Sequence, residues 1–509
     1  MQPTTNQQRF LRATAILTAV YLCAVFFALP LVFSNFYFNI TETKQTFFMV
    51  ASGAFVLLLL FARIAFLPDY GVGARRVPPH PAALALCGLF VVSVVGALLS
   101  RYPDDVFWGQ NNRYQGLLTL FAYALVVLVL SRRKVDLRWP ERALALGAAL
   151  VGLLGLLNHF GADPLGFTEN LRKSDQGRFL STIGNADFYG SYLVMAFPAT
   201  LGVFLHAKTL RGGVLSGLAL VCVSFGALVA GSDSAALGLL AGAVVFPLAL
   251  FTDARAMRRL PLGWGIFFLC AFVFGLLSRR LPSATYLSYF TTLVSRPAVA
   301  LPLAAVMLLL WRLPSRRPER LPNRKRAYGI SLAAALALGL LALVLLNTAL
   351  KNLPLGGLDR YLRFSESWGT DRGKIWVFVS RFYASLPTAQ KLFGAGSGAL
   401  FHADALRPLF SDASLDTAHN EYLQYLVTNG ALGLLCYLAA LGFALRSGFS
   451  RCAAQPASRG LTVAVAAYAA QALVNIAQPA STPLFFVLLG VLVSRVEPPA
   501  RPPDETTLP

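Results

Sequence analysis

The feature that most constrains the fold is a long series of apolar segments, each about as long as a bilayer is thick. About fourteen of them are long enough to span as helices, since a helix needs about 20 apolar residues to cross the hydrocarbon. The shortest segments are marginal, so we expect about 12 to 14 spans in an all-α polytopic integral membrane protein. The segments lie near residues 12–34, 47–66, 82–100, 115–131, 143–160, 186–206, 213–230, 234–251, 262–278, 297–311, 328–350, 421–445, 460–477 and 482–494.

Composition and charge agree with this class. The chain is 56% hydrophobic and only 13% charged, with a mean hydropathy of +0.61. A net charge of +21 would favour a nucleic-acid partner in a soluble protein. Here the basic residues collect in alternate loops, such as 132–134 and 312–326, so the positive-inside rule explains them and places both termini in the cytoplasm. The first segment lacks a small-residue cleavage site and is expected to be retained.

The loops on the other side carry the polar motifs. They are residues 101–115, 161–185, 231–234 and 351–420. Irregular backbone and charges are tolerated only outside the hydrocarbon or in a protein-lined cavity, so the chemistry is expected in these loops. The predicted organisation is transmembrane helices over 1–350, a large extracytoplasmic loop over 351–420, transmembrane helices over 421–495, and a Pro-rich, disordered tail over 496–509.

The large loop contains a polar helix start. Thr370 is a plausible N-cap, which would place Arg372 in a first turn where free backbone N–H groups and the helix dipole favour an anion. The helix that follows has an apolar face beginning at Trp376 and should end at Leu386-Pro387. The alternative is a surface amphipathic helix with a solvated Arg372.

His419 lies at the end of the same loop. Asp416 or Thr417 can cap the next helix, so the imidazole is expected in its first turn, at the interface between water and bilayer. The positive end of the helix dipole disfavours imidazolium there and leaves the ring available as a base. The alternative is a capping or interfacial histidine. No recognisable motif surrounds His402 in the sequence, so it is expected to be structural, as are His80, His159 and His206.

The loop over 101–116 interleaves aromatic residues with Asp, Asn and Gln. Such a mixture suits sugars, whose rings present apolar faces ringed by hydroxyl groups. Trp108 and Arg113 are the candidate sugar-binding residues in it. The alternative is an aromatic belt, because Trp and Tyr collect at membrane interfaces regardless of ligand.

Several short motifs follow one another along the chain. Together they resemble the O-antigen ligase/polymerase family over residues 178–445. The motifs are Arg178-Phe179-Leu180-Ser181-Thr182-Ile183-Gly184-Asn185, Phe188-Tyr189-Gly190-Ser191-Tyr192-Leu193, Arg372-Gly373-Lys374-Ile375-Trp376, Phe393-Gly394-Ala395-Gly396, His419-Asn420-Glu421-Tyr422-Leu423-Gln424 and Asn429-Gly430-Ala431-Leu432-Gly433-Leu434.

The resemblance implies a membrane glycosyltransferase of GT-C-like architecture. Such an enzyme moves a glycan from undecaprenyl pyrophosphate to a hydroxyl of a glycan, lipid or protein acceptor, at the outer face of the cytoplasmic membrane. The family works without a metal ion or another cofactor. The sequence agrees in lacking a phosphate-binding P-loop, a dinucleotide fingerprint and metal-ligand spacing.

The resemblance also implies roles for individual residues. Arg178 and Arg372 would stabilise the pyrophosphate leaving group, and His419 would orient or deprotonate the acceptor. Asp371, Asn420 and Tyr422 are supporting candidates, while Asn185 would bind a sugar hydroxyl or cap its helix. Asp233 stands where many family members have arginine, and it would either cap the helix it begins or pair with Arg178 or Arg372.

Two kinds of alternative stay open. Within the family, the chain could be a ligase, which the C-terminal string fits best, a polymerase of repeat units, or an oligosaccharyltransferase acting on protein hydroxyls. Outside it, a flippase of lipid-linked glycans also needs many spans. A flippase should line its path with charge inside the membrane, whereas the spans predicted here are almost free of ionisable residues.

Overall fold

The computed structural model describes residues 4–67, 78–110, 112–169, 171–313, 321–402 and 417–495, so the predicted tail and part of the basic loop 312–326 lie outside it. In the first half the elements are α1 (Thr5–Cys23), a π-helical segment (Ala24–Ala28), α2 (Leu29–Leu31), α3 (Ile40–Phe66), α4 (Pro81–Leu99), α5 (Pro103–Trp108), α6 (Leu117–Ser131), α7 (Arg138–His159), α8 (Lys173–Gln176), β1 (Phe179–Leu180), β2 (Gly184–Asn185), α9 (Ala186–His206), α10 (Leu210–Val229) and α11 (Asp233–Leu250). In the second half they are α12 (Ala254–Leu277), α13 (Tyr289–Val294), α14 (Pro297–Arg312), α15 (Leu321–Asn347), a 3-10 turn (Gly356–Leu358), α16 (Asp359–Leu362), α17 (Trp368–Ser385), α18 (Thr388–Phe393), α19 (Glu421–Thr428), α20 (Gly430–Arg451), α21 (Ala457–Gln471), a 3-10 turn (Ala472–Val474) and α22 (Thr482–Leu492).

Most of the predicted spans appear as long apolar helices. Among the described residues, eleven helices are long and apolar enough to cross a membrane. Three shorter apolar helices, α6, α14 and α22, coincide with the predicted segments at 115–131, 297–311 and 482–494. At about 1.5 Å per residue, α6 is about 22 Å long, less than a hydrocarbon core of about 30 Å. A mostly helical polytopic membrane protein is therefore confirmed, while the number of crossings and the GT-C-like architecture stay predictions.

The predicted span over 421–445 is wrong in its boundary. The structure divides it into α19 and α20, because the chain turns at Asn429 and Gly430, where the φ of Gly430 is +71°. A side chain at Gly430 would place Cβ 2.3 Å from the Leu392 carbonyl oxygen, so only glycine fits this turn. The membrane-length helix begins at Gly430, and α19 lies before it.

Helix α9 lies at the centre of the bundle. In its most apolar stretch 94% of the residues are buried, and it packs against α7, α10, α11 and α21. A Cβ at Gly202 would lie 3.0 Å from the Cα of Gly460, so these two glycines allow α9 and α21 to approach closely. Both ends of α9 are consequently fixed by several neighbouring helices.

One buried cation in the bundle has a structural explanation. The Lys44 ammonium donates to the carbonyl oxygens of Leu29, Pro30 and Val32 at 3.0, 2.9 and 2.9 Å. These carbonyls lie at the C-terminal end of α2, where no intrahelical donor remains. Lys44 therefore satisfies the free carbonyl groups at the C-terminal end of α2.

The polar loops meet at one end of the bundle. His402 Nε2 lies 2.5 Å from Asp105 Oδ2, and its ring stacks on Tyr102 at 4.7 Å, which joins the loop over 101–116 to the large loop. The helix predicted after Trp376 is confirmed: it ends at Ser385, and Val379 is in a small hydrophobic cluster separate from the main core. That the motifs share one side of the membrane stays a prediction.

Candidate functional site

A cavity whose lining residues are mostly of polar types lies among these loops. Residues before and at the start of α6, residues 417–429 and the irregular stretch after α21 enclose it. Its lining residues are Gln110, Arg113, Gln115, Leu120, Ser397, Thr417, His419, Asn420, Glu421, Gln424, Tyr425, Thr428, Asn429, Asn475, Ile476 and Ala477. Of the nine residues that the sequence proposes for a site, the cavity contains Arg113, His419 and Asn420.

His419 lies on the wall of this cavity, directly before α19. Its predicted position in the first helical turn is wrong, because α19 begins at Glu421 and Asn420 is its N-cap. Thr417 does not cap the helix, and Asp416 lies outside the described residues. The backbone of His419 has a φ of +48°, a conformation that costs a non-glycine residue about 1 to 2 kcal/mol. The left-handed turn places the imidazole on the cavity wall before the helix starts.

Asn420 and Tyr422 have structural partners. The Asn420 side-chain oxygen accepts from the backbone N–H groups of Tyr422 and Leu423 at 3.0 and 3.1 Å. The Tyr422 hydroxyl donates to the Ala469 carbonyl at 2.6 Å, which directs it towards α21. Asn420 therefore supports His419 by fixing the helix start, and Tyr422 is not among the residues that line the cavity.

Glu421 is a cavity residue that the sequence did not single out. Its side chain is buried, and its Oε1 accepts from the Tyr468 hydroxyl at 2.6 Å. Burial raises the pKa of Glu421 to about 7, although the hydrogen bond from Tyr468 acts in the opposite direction. A carboxyl group with such a pKa can take up or release a proton near neutral pH. Glu421 and His419 thus give the cavity two groups suited to proton transfer.

Arg372 lies at the start of α9, against Asp187. Its Nη2 is 3.8 Å from Asp187 Oδ2, and its Nη1 donates to the Gly369 carbonyl at 3.1 Å. Its Nε is buried and has no hydrogen-bond partner among the described residues. The other Asp187 oxygen accepts from the Ser232 hydroxyl at 2.5 Å. This carboxylate therefore orients Arg372.

The predicted roles of Asp233 and Thr370 are wrong. Ser232 is the N-cap of α11, Asp233 is exposed in the first turn, and no ion pair joins it to the described arginines. Thr370 has a φ of +56°, and its hydroxyl donates to the Gly369 carbonyl, so it does not cap α17. Asp371 follows in the same left-handed run and is exposed. Regular helical conformation resumes at Arg372.

Arg113 also contacts the start of α9. Its guanidinium carbon lies 5.7 Å from the centre of the Phe188 ring, a cation–π arrangement, and Phe188 directly follows Asp187. Arg113 lines the cavity, whereas Trp108 is 62% exposed and lies outside it. Two arginines, Arg372 and Arg113, therefore lie near the first turn of α9.

The family model for O-antigen ligase matches residues 283–438. This segment of the chain is similar to O-antigen ligases. The predicted resemblance is confirmed, and the matched segment contains Arg372, His419 and Glu421. No curated protein matches the chain.

Arg178 and Asn185, like Trp108, lie outside both the ligase-matched segment and the cavity. Arg178 is exposed before β1, and its carbonyl accepts from the Ala186 N–H at 3.0 Å. The Asn185 side chain accepts from the Asp187 N–H at 2.8 Å, so the capping alternative describes it. Only the backbone of the hairpin thus brings Arg178 near the start of α9.

Asn475 connects the cavity of this ligase-like chain to Asp187. Its amide nitrogen donates to the hydroxyls of Ser191 and Ser234 at 3.0 Å each, and it lies 3.4 Å from the Asp187 carbonyl. The sequence signal was an amide side chain at the end of an apolar span, where polar groups are rare unless they serve a site. Within the described ranges, no group of three or more His, Cys, Asp or Glu residues could hold a metal ion.

Proposed function

We propose that this protein transfers a glycan from undecaprenyl pyrophosphate to an acceptor hydroxyl at the outer face of the cytoplasmic membrane, as an O-antigen ligase-type enzyme. The observation that carries the proposal is one cavity, at the end of the bundle where the polar loops meet, that contains His419, Glu421 and Arg113. The Arg372–Asp187 pair lies beside it, joined through Asn475.

The two arginines are suited to a pyrophosphate. Guanidinium groups bind phosphate oxygens through charge-assisted, often bidentate hydrogen bonds. Among the described residues, the Arg372 Nε has no hydrogen-bond partner and the contact of Nη2 with Asp187 is long, so an anion can compete for this guanidinium. Arg113 presents a second guanidinium on the cavity side. Arg178, exposed on the hairpin, would engage the donor at the outer edge of the site.

The reaction needs one proton transfer and one bond exchange. The acceptor oxygen forms a bond to the anomeric carbon of the donor sugar while the bond from that carbon to the pyrophosphate oxygen breaks. The electron pair leaves with the lipid pyrophosphate, whose charge the arginines, rather than a metal ion, stabilise. The acceptor proton passes to His419, and Glu421 is the second group placed to accept it.

The orientation follows from the basic loops. The positive-inside rule puts loops such as 132–134 in the cytoplasm, and the cavity is at the opposite end of α6. Both termini are then cytoplasmic, and the site meets donor lipid that has already been flipped outward.

The test is an analysis of surface glycan and undecaprenyl-linked intermediates in cells that lack the gene, with and without the wild-type gene restored. Finished polymer accumulating on undecaprenyl pyrophosphate in the deletion supports a ligase. Single repeat units accumulating there would instead identify a polymerase, and loss of glycan from protein hydroxyls would identify an oligosaccharyltransferase. Intermediates trapped in the cytoplasmic leaflet would contradict an enzyme of the outer face.

A further inference from the structure

A second cavity, of about 470 Å³, opens at the other end of the bundle. It is much larger than the cavity at the candidate site, which has about 50 Å³. Helix α6 begins at the candidate site and ends at the loop 132–137, which forms one wall of the second cavity. Likewise α20 begins beside the site and ends at the turn 454–457, which forms another wall. The two cavities are therefore separated by the length of the bundle.

The polar wall of the second cavity is basic. Arg138 is neutralised by Asp136, with Nη2 2.7 Å from Oδ2. Arg495 and Lys134 also line the cavity, and their backbones form a bridge that holds them side by side. The Nε of Arg495 is buried and has no hydrogen-bond partner in the part of the chain that the structure describes. The Arg495 guanidinium can therefore donate a further hydrogen bond to a ligand.

The neighbouring residue adds to the positive charge. The Arg495 backbone N–H donates to the carbonyl of Arg133 at 2.7 Å. Burial and the nearby Arg495 guanidinium lower the pKa of Arg133. Arg133 and Arg495 therefore bring two positive charges close together, and such a cluster favours binding of an anion.

The remaining wall is apolar and continues onto the outside of the bundle. Ala15, Ala19 and Leu22 of α1 line the cavity. The next residues around α1, Ile16 and Val20, are 54% and 61% exposed, as expected of a helix face covered by acyl chains. Trp139 is 56% exposed at the rim, and tryptophan concentrates where hydrocarbon meets headgroups.

We propose that this cavity binds the phosphate of an anionic glycerophospholipid. Arg495 and Lys134 contact the phosphodiester oxygens, Trp139 lies at the level of the glycerol backbone, and the acyl chains follow the exposed face of α1. A free phosphate ion would use the same cations, but it would leave the apolar wall uncovered. The inference concerns the end of the molecule away from the candidate site and does not depend on glycan transfer.

The experiment is native mass spectrometry of the purified full chain in detergent, titrated with phosphatidylglycerol or with phosphatidylcholine. We expect the wild type to retain phosphatidylglycerol about tenfold more tightly than phosphatidylcholine, because the choline cation offsets the phosphate charge and is repelled by the basic wall. Arg495→Gln should weaken retention of phosphatidylglycerol about tenfold. Arg142→Gln is the matched control, because Arg142 is an exposed arginine one turn beyond Arg138 and outside the cavity.

Three results would overturn the proposal. The first is equal retention of the two lipids, and the second is equal loss in Arg495→Gln and Arg142→Gln. The third is thermal stabilisation by inorganic phosphate alone that Arg495→Gln abolishes, which would make the occupant a soluble anion. If Arg495→Gln lowers the melting temperature, Lys134→Gln is measured in its place, with the same expected loss.

Discussion

Glu421 shows how a single residue can be present in a recognised string and still be overlooked. In the sequence it is one letter between Asn420 and Tyr422, at the start of an apolar helix. The structure buries it in the cavity against Tyr468, a residue 47 positions away. The sequence could single out His419 as a candidate site residue, because the motif around it is distinctive. It could not predict the partner of Glu421, because that contact depends on how α19 packs on α21.

The raised pKa of Glu421 predicts a pH dependence of stability. The unfolded chain releases this proton near a pKa of about 4.3, whereas the folded chain keeps it up to about 7. The folded state therefore binds more protons within this window, so stability falls as pH rises through it, by at most about 1.4 kcal/mol per pH unit. We expect the melting temperature of the purified wild type to fall from about pH 5 to about pH 7 and Glu421→Gln to remove that component. The same slope in both proteins would show that another group is responsible.

Asp187 in the first turn of α9 and Asp233 in the first turn of α11 are a matched pair of carboxylates. Asp187 orients Arg372, while Asp233 is exposed and outside that contact. We expect Asp187→Asn to reduce glycan transfer about tenfold or more, since a misplaced arginine loses its hold on the leaving group. Because the ion pair is long and partly exposed, the change in folding free energy should stay below about 1 kcal/mol. Transfer and melting temperature are measured together, and Asp233→Asn should leave both unchanged. A larger loss of transfer in Asp233→Asn than in Asp187→Asn would show that Asp187 is not the carboxylate on which transfer depends.

At the scale of elements, hydropathy predicted the helices well and their ends less well. Helices α3 and α9 follow directly from the length of an apolar run. The break between α19 and α20 was missed because a run of apolar residues looks the same on both sides of a left-handed glycine. The β1–β2 hairpin was missed as well, since its two-residue strands are too short to show an alternating pattern.

That glycine offers a test of the element boundary. Gly430→Ala must place a Cβ against the Leu392 carbonyl at a positive φ, so we expect a loss of at least about 1 to 2 kcal/mol in stability. Gly442 lies in the same helix, and a Cβ added there would meet no other atom within 4 Å. Gly442→Ala should therefore be neutral or stabilise by up to about 1 kcal/mol. Thermal unfolding in detergent distinguishes them, and equal effects would mean that α19 and α20 form one continuous helix.

At the scale of the whole molecule, the sequence predicted a polytopic bundle with its motifs on one side, and the structure brings those loops together. Which loops meet which helix end was not predictable, because contacts such as Asp105–His402 join residues almost 300 positions apart. Loops that are distant in the sequence also form the cavity. Arg113, His419 and Asn475 come from three distant parts of the chain.

The orientation of the bundle gives a prediction of its own. We expect Trp108→Cys to react with a membrane-impermeant maleimide in intact spheroplasts, and Arg258→Cys to react only after lysis. Both side chains are exposed, and the positive-inside rule assigns the end of α5, which has Trp108, and the start of α12, which has Arg258, to opposite faces. The six native cysteines are replaced beforehand. The reverse labelling pattern would put the cavity on the cytoplasmic side and contradict transfer from outward-flipped donor.

The most direct measurement is the amount of glycan attached to acceptor in deletion cells that express His419→Ala or His402→Ala at the wild-type protein level. Both histidines lie in the polar loops, but only His419 lines the cavity, and His402 joins two loops through Asp105. A general base contributes about 10² to 10⁴ in rate, so we predict at least about a hundredfold less attached glycan with His419→Ala. His402→Ala should retain most of the transfer. Wild-type transfer by His419→Ala would contradict the assignment of this cavity as the active site.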